Sequence, residues 1–99
     1  MKVRLSEEAQ EHARRIRHWW RKNRPKAPTL FDEELRQVRK RLAVAWHEGQ
    51  EYATFNGELV RRVLLQKTKN HVYYVVRQAE GVVHVVAIHG AVRGRGPDL

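Results

Sequence analysis

The chain has 99 residues, of which 41% are hydrophobic, and this size and composition suit a single folded domain spanning residues 1–99. Lys and Arg outnumber Asp and Glu by 20 to 11, so the net charge of +9 favours an anionic partner over a merely soluble basic domain. The absence of cysteine excludes a disulfide scaffold, and no apolar run approaches the ~20 residues of a membrane-spanning helix. We therefore expect a cytoplasmic protein that contacts no membrane, because the N-terminus also lacks the apolar segment of a signal peptide.

The first predicted elements are a short strand and a helix. Residues 2–5 alternate basic and apolar side chains, which is typical of a strand. Ser6 is the predicted N-cap of a helix that ends near Lys22, because its hydroxyl can accept a hydrogen bond from a free amide of the first turn. Spacings of four, three and four residues give this helix one apolar face, formed by Ala9, Ala13, Ile16 and Trp20, with Trp19 beside it.

A second helix follows the segment NRPKAP, residues 23–28. Proline is tolerated in a first helical turn but not in a helix interior, so this helix should begin between Pro25 and Thr29. The short connection predicts an antiparallel helical hairpin. The apolar face of the second helix comprises Phe31, Leu35, Val38, Leu42 and Ala45.

Three strand candidates, residues 59–66, 71–78 and 82–88, follow the helices, with turn signals at Asn56-Gly57 and Glu80-Gly81. Residues 89–99 form a basic, Gly-rich tail. The order β-α-α-β-β-β predicts an α+β domain, in which an antiparallel sheet has the N-terminal strand at its edge and the helical hairpin packed on one face.

Several kinds of functional site lack support in the sequence. The six histidines show no ligand spacing and there is no cysteine, so we expect neither a metal site nor a cofactor. Gly90, Gly94 and Gly96 follow a strand without opening a helix, which is not the pattern of a phosphate-binding loop. The three tryptophans could stack on nucleic-acid bases, although aromatic residues on helix faces more often belong to the core.

The adjacent arginines Arg61 and Arg62 lie inside a predicted strand. Neighbouring strand residues point to opposite faces, so one of the two must face away from the helices, and the sequence leaves open which one. That arginine either lies at the rim of the sheet or belongs to an anion-recognition surface. The candidates for this target-binding surface are Arg61, Arg62, Lys67, Lys69, Arg93 and Arg95.

The ordered set of segments resembles the RelE/ParE toxins of type II toxin–antitoxin systems. VRLSEEAQEHARRIRHWW resembles their first strand and helix, and RPKAPTLFDEELRQVRKRLAVAWHEGQEY resembles their second helix and the following loop. VRRVLLQKTKNHVYYVVRQAEGVVHVVAIHGAVRGRGP resembles their final strands and tail. One departure is Trp46-His47, which stands where relatives often have a proline before the glycine.

The resemblance implies one of two toxic activities. ParE-like members inhibit DNA gyrase, whereas RelE-like members cleave messenger RNA in the ribosomal A site. The tail GAVRGRGPDL lacks the aromatic residue or histidine that commonly follows the last strand in the nucleases, and the long helical hairpin looks ParE-like. The ParE branch is therefore favoured, and on that branch the chain is a binding protein rather than an enzyme.

Two alternatives remain open: a nuclease with Arg61, Arg62 and His89 as catalytic residues, and a non-toxic partner of an antitoxin. The resemblance also implies a hetero-oligomer with a cognate antitoxin, through which alone the toxin would reach operator DNA. The expected antitoxin-contacting residues are Ile16, Trp19, Trp20, Phe31, Leu35 and Val38.

Overall fold

The computed structural model describes residues 1–91 and Pro97. Its elements are β1 (Lys2–Leu5), α1 (Glu7–Asn23), α2 (Leu30–Val44), β2 (Gln50–Phe55), β3 (Glu58–Leu65), β4 (Asn70–Arg77) and β5 (Val82–Gly90). The predicted α+β class is confirmed, as is the order of one strand, two helices and then further strands. Within the described ranges, no helix has both the length and the apolar character needed to cross a membrane.

The sheet has five strands in the order β1-β5-β4-β3-β2, one more than predicted. The additional strand, β2, pairs with β3 through a tight turn at Asn56 and Gly57, whose φ angles of 50° and 79° are left-handed. Five of the six residues in β2 are exposed, so this edge strand lacks the apolar alternation by which a strand is recognised in a sequence.

The N-terminal strand lies at the edge of the sheet, as predicted, but it runs parallel to its neighbour. Its register begins at Lys2 opposite Val82 and ends at Leu5 opposite Val85, so the sheet is mixed rather than antiparallel. Each hairpin reverses the chain. One additional strand in the predicted meander therefore reverses the direction of its last strand, β5, relative to β1. The extra strand and the parallel pairing thus have the same cause.

The helix boundaries follow their capping residues. The Ser6 Oγ accepts a hydrogen bond from the Ala9 amide at 3.0 Å, as expected for an N-cap. The first helix ends at Asn23, one residue beyond the predicted end, and the Arg24 amide donates to the Trp20 carbonyl at 2.9 Å. The second helix begins at Leu30, one residue after the latest predicted start, and Thr29 is its N-cap residue.

The main core lies between the helical hairpin and one face of the sheet, as predicted. Both helices contribute buried residues, and so do β3, β4 and β5. The opposite face, called the open face below, carries a smaller buried cluster. The main core includes Ala9, Ala13, Phe31, Leu35, Leu42, Leu65, Val72, Tyr74, Val83, Val85 and Ile88, and the open-face cluster comprises Val60, Tyr73, Val75 and Ala87.

The outer edge of β5 is covered partly by β1 and partly by α1. A register shift against β4 leaves Val86 as an extra residue, and β1 has already ended at this point. The Ser6 Oγ donates to the Val86 carbonyl at 3.3 Å, and the Ile88 amide donates to His12 Nδ1 at 3.2 Å. An imidazole nitrogen that accepts a hydrogen bond is unprotonated, so this contact requires a neutral His12.

Candidate functional site on the open face of the sheet

The register of the central strands separates the two adjacent arginines. Arg62 lies opposite Tyr73, which belongs to the open-face cluster, and Arg61 lies opposite Tyr74, which belongs to the main core. Residues directly opposite each other in a sheet share a face. Arg62 is therefore the open-face arginine, and Arg61 faces the helix layer.

Arg61 holds the loop that connects α2 to β2. Its Nη1 donates to the Gly49 carbonyl at 2.9 Å, while the Gly49 amide donates to Tyr74 Oη at 2.9 Å. The same hydroxyl donates to the Trp46 carbonyl at 3.1 Å. Burial raises the pKa of Tyr74, which keeps its hydroxyl protonated and able to donate. Arg61 thus has a structural role on the helix side.

Gly49 is required by the close approach of the Tyr74 side chain. A Cβ atom at this position would lie 2.0 Å from Tyr74 Oη and 2.7 Å from Tyr74 Cζ, which are both closer than atoms can approach. The absence of a side chain at Gly49, and not an unusual backbone angle, is therefore what allows the loop to dock on the tyrosine.

Arg62 is held in place by two residues of the neighbouring strand β2. Its guanidinium lies over the Tyr52 ring, 4.9 Å from the centroid, and its Nε donates to Gln50 Oε1 at 3.1 Å. In residues 1–91, no carboxylate forms an ion pair with it. A guanidinium has five N–H donors, and Nε accounts for one, so donors remain to bind an anion at the surface.

Three histidines share the open face with Arg62, of which His84 lies farther along β5. His71 and His89 lie opposite each other on β4 and β5, and the His71 ring centroid is 5.9 Å from that of Tyr73. Burial and the nearby Arg62 charge lower the pKa of His71, which favours a neutral ring able to accept a proton. His89 was a predicted candidate, but His71 was not, because only the strand register shows that it lies beside Arg62.

Tyr73 lies at the centre of this group. Its ring meets the Tyr52 ring edge-on, with 4.8 Å between the centroids. The residue is fully buried, and its hydroxyl has no hydrogen-bond partner among the described residues. A buried hydroxyl without a partner carries an energetic penalty, but this one has no solvent access and so offers no donor to a group bound at the surface.

The predicted lysines belong to a different part of the sheet. Lys67 and Lys69 lie in the turn between β3 and β4, which is held by the Glu34 carboxylate of α2. This carboxylate accepts from the Lys67 amide at 2.7 Å, the Thr68 amide at 2.9 Å and the Thr68 hydroxyl at 2.6 Å. Both lysine side chains are exposed. The tail candidates Arg93 and Arg95 lie outside the described residues.

The predicted antitoxin-contacting residues differ in exposure. Phe31 and Leu35 are buried in the main core, so they offer no surface to a partner, because their side of α2 packs on the sheet. Trp19 is 47% exposed. Three others pack against the core while partly exposed, namely Ile16, Trp20 and Val38.

The described residues offer no cluster of metal ligands at this site. Among residues 1–91 and Pro97, no group of three or more His, Asp or Glu residues is placed to hold a metal ion. The open-face group, formed by Tyr52, Arg62, His71, Tyr73 and His89, instead offers a cation and two imidazoles, which are suited to binding an anion or moving a proton.

Comparison with known proteins identifies the fold. No protein-family model matches the sequence, and no curated protein matches it significantly. A solved structure described as "Chromosomal ParDE TA system from P. aeruginosa" contains a chain that superposes with a TM-score of 0.71 at 16% sequence identity. The match covers 93% of this chain and 97% of the other. The chain therefore has the fold of the RelE/ParE toxins.

Proposed function

We propose that the protein is a cytoplasmic toxin of a type II toxin–antitoxin system, which inhibits DNA gyrase and is neutralised by a cognate antitoxin. The observation that carries this proposal is the likeness in fold, over 93% of the chain, to a chain of the ParDE toxin–antitoxin system. The net charge of +9 supports it, because an acidic antitoxin would offset that charge in a hetero-oligomer. Contact with operator DNA would then be made through the antitoxin.

A toxin of this kind acts by binding gyrase and not by catalysing a reaction. Arg62 would meet an acidic surface of gyrase or a phosphate of its DNA, since its guanidinium is positioned by Tyr52 and Gln50 and retains free donors. Lys67, whose amide donates to the Glu34 carboxylate, and Lys69, in the same turn, would add a second contact. Arg93 and Arg95 remain candidates from the sequence alone.

A second candidate function, cleavage of messenger RNA, is favoured by the open-face group. A ribonuclease of this type needs a base for the 2′-hydroxyl, a cation for the pentavalent phosphate and a proton donor. His71 or His89 could act as the base and Arg62 could supply the cation, whereas the Tyr73 hydroxyl is fully buried and cannot reach a substrate. Arg61, which faces the helices, is not included in this group.

Supercoiling of relaxed plasmid by purified gyrase tests the proposed function. We expect the protein to abolish supercoiling and to accumulate linear, protein-linked DNA, and we expect the antitoxin to reverse both effects. Unaffected gyrase together with in-frame cuts in messenger RNA would favour the ribonuclease. Unaffected growth on expression would instead identify a non-toxic partner of the antitoxin.

A further inference from the structure

A cavity separate from the open-face group lies on the same face of the sheet, at the end away from His71 and His89. It has a volume of about 440 Å³, which is in the range of cavities that hold small molecules. Its floor includes Val60, Val75 and Ala87, three residues of the open-face cluster. We call this cavity the valine groove.

The walls of the valine groove come from two parts of the chain. The turn between β2 and β3 supplies Phe55 and Asn56, and the first turns of α1 supply Glu8 and His12. Phe55 is 44% exposed beside the apolar floor, so apolar surface remains there for a ligand to cover. A small molecule with an apolar body is therefore complementary to the floor and to this wall.

The guanidinium among the described lining residues of the groove is already paired. Arg77 donates to both carboxylate oxygens of Glu58, from Nε and from Nη2, each at 3.0 Å. Arg4 lies opposite His84 on the neighbouring strand and does not line the groove. An anionic ligand therefore meets no unpaired guanidinium or ammonium group among the described lining residues.

Glu8 differs from Glu58, because its carboxylate forms no ion pair with any described residue. Glu8 and His12 are four residues apart on α1, so their side chains are neighbours on one face of the helix. His12 Nδ1 accepts from the Ile88 amide, so the ring is neutral and carries its proton on Nε2. A neutral imidazole leaves the charge of Glu8 uncompensated, and this charge attracts a cation to the wall of the groove.

We propose that the valine groove binds a small primary amine with an aromatic body, whose ammonium group pairs with Glu8 while its ring lies on the apolar floor beside Phe55. An ammonium group supplies the donors that an unpaired carboxylate lacks. A ring in contact with Phe55 gains both apolar burial and an aromatic contact. The site goes beyond the proposed function, because neither gyrase nor an antitoxin has to occupy it.

An NMR titration of the full chain with phenethylamine tests this inference. At about pH 8 the amine is charged and an imidazole of ordinary pKa is neutral. The comparison compounds are phenylethanol and phenylacetate, which keep the ring and replace the ammonium group with a hydroxyl or a carboxylate. We expect saturable binding of the amine, roughly fivefold weaker binding of the alcohol, and still weaker binding of the carboxylate.

The matched control removes the same charge from the neighbouring residue. Glu8→Gln should weaken binding of the amine by roughly five- to tenfold and binding of the alcohol by less than about twofold. Glu7 is exposed and lies outside the groove, so Glu7→Gln should change the affinity for the amine by less than about twofold. Phe55→Ala should weaken binding of the amine and the alcohol alike, with circular dichroism confirming the fold of each variant.

His12 reports independently on where the amine binds. An ammonium group held by Glu8 adds a positive charge near the imidazole, which disfavours its protonated form. Saturating phenethylamine should therefore lower the pKa of His12 further, and by more than phenylethanol does, when the ring is titrated by NMR.

Three results would overturn the inference: no saturable binding of phenethylamine, equal weakening by Glu8→Gln and Glu7→Gln, or tighter binding of phenylacetate than of phenethylamine. The last result would indicate an anion site. An unchanged His12 pKa at saturation would also count against it, because the amine would then bind elsewhere on the surface.

Discussion

Arg62 is held on the open face by Tyr52 and Gln50, whereas Arg61 is hydrogen-bonded to the loop at Gly49. The two neighbours therefore belong to different parts of the molecule. The sequence established that they face opposite ways, because strand residues alternate. The sequence could not establish which arginine faces the helices. That depends on how β3 pairs with β4, and this pairing joins residues that are separated in the sequence.

Substitution of the two arginines should have different effects on toxicity and on stability. Arg62→Ala should reduce growth arrest while leaving the free energy of unfolding nearly unchanged, because it removes a surface cation. Arg61→Ala should lower the free energy of unfolding by about 1–2 kcal/mol, because the Gly49 carbonyl loses a charged donor. Plating assays after induction and urea denaturation measure the two effects.

Arg14→Ala serves as the control for this pair, since Arg14 is exposed on α1 and pairs only with Glu11 among the described carboxylates. An exposed pair of this kind contributes little to stability. Equal loss of toxicity in the Arg62 and Arg14 variants, with both folded, would contradict a specific role for the open face.

Tyr74→Phe should destabilise the fold by about 1–3 kcal/mol, because the Gly49 amide and the Trp46 carbonyl both lose their partner. Urea denaturation of the variant measures this cost. The control is Tyr52→Phe, since the Tyr52 side chain lies at the surface and its hydroxyl has no described hydrogen bond. Similar losses in both variants would show that the Tyr74 hydroxyl is not a specific anchor.

At the scale of elements, the Glu34 carboxylate connects α2 to the turn between β3 and β4. Glu34→Ala should cost about 1–3 kcal/mol, because two amides and a hydroxyl lose a charged acceptor. The exchange of the Lys67 and Thr68 amide hydrogens should accelerate in the same variant. Glu33→Ala, at an exposed neighbour, is the control, and unchanged exchange in Glu34→Ala would contradict the link.

The helices were predictable from the sequence and the edge strand was not, for a physical reason. An amphipathic helix that packs on a sheet carries its signal in local spacing, as the apolar face of α1 and its Ser6 cap show. Strand β2 is bound mainly through its backbone and buries little, so its composition resembles that of a loop. The open-face group was missed in part because it depends on register across three strands.

For the whole molecule, the stability should depend on pH through His12, which joins α1 to β5. Burial, followed by the charges of Arg15 and His89, lowers the pKa of His12 below its ordinary value of 6.5, while Glu8 and Glu11 oppose this shift. A histidine whose pKa is lowered by folding binds fewer protons in the folded state than in the unfolded state. The contribution of His12 to the stability of the fold is therefore complete above pH 6.5, and it is lost as the pH falls through the lower pKa of the folded state.

We therefore expect the melting temperature to fall as the pH is lowered below 6.5, and His12→Gln to reduce this dependence. Titration of the His12 ring by NMR measures the folded pKa directly. His71, whose pKa is also lowered, adds a dependence of the same sign. A folded His12 pKa above 6.5 would contradict the neutral acceptor inferred from the Ile88 contact.

The parallel pairing of β1 with β5 also governs how the protein can fold during synthesis. Strand β5 lies between β1 and β4 in the sheet, although it is the last strand to leave the ribosome. Until Val82–Gly90 has emerged, β1 has no strand to pair with, and α1 lacks the strand against which it packs. Nascent chains that end before Val82 should therefore lack the completed sheet, and the parallel pair of β1 with β5 forms only after the other strands have been made.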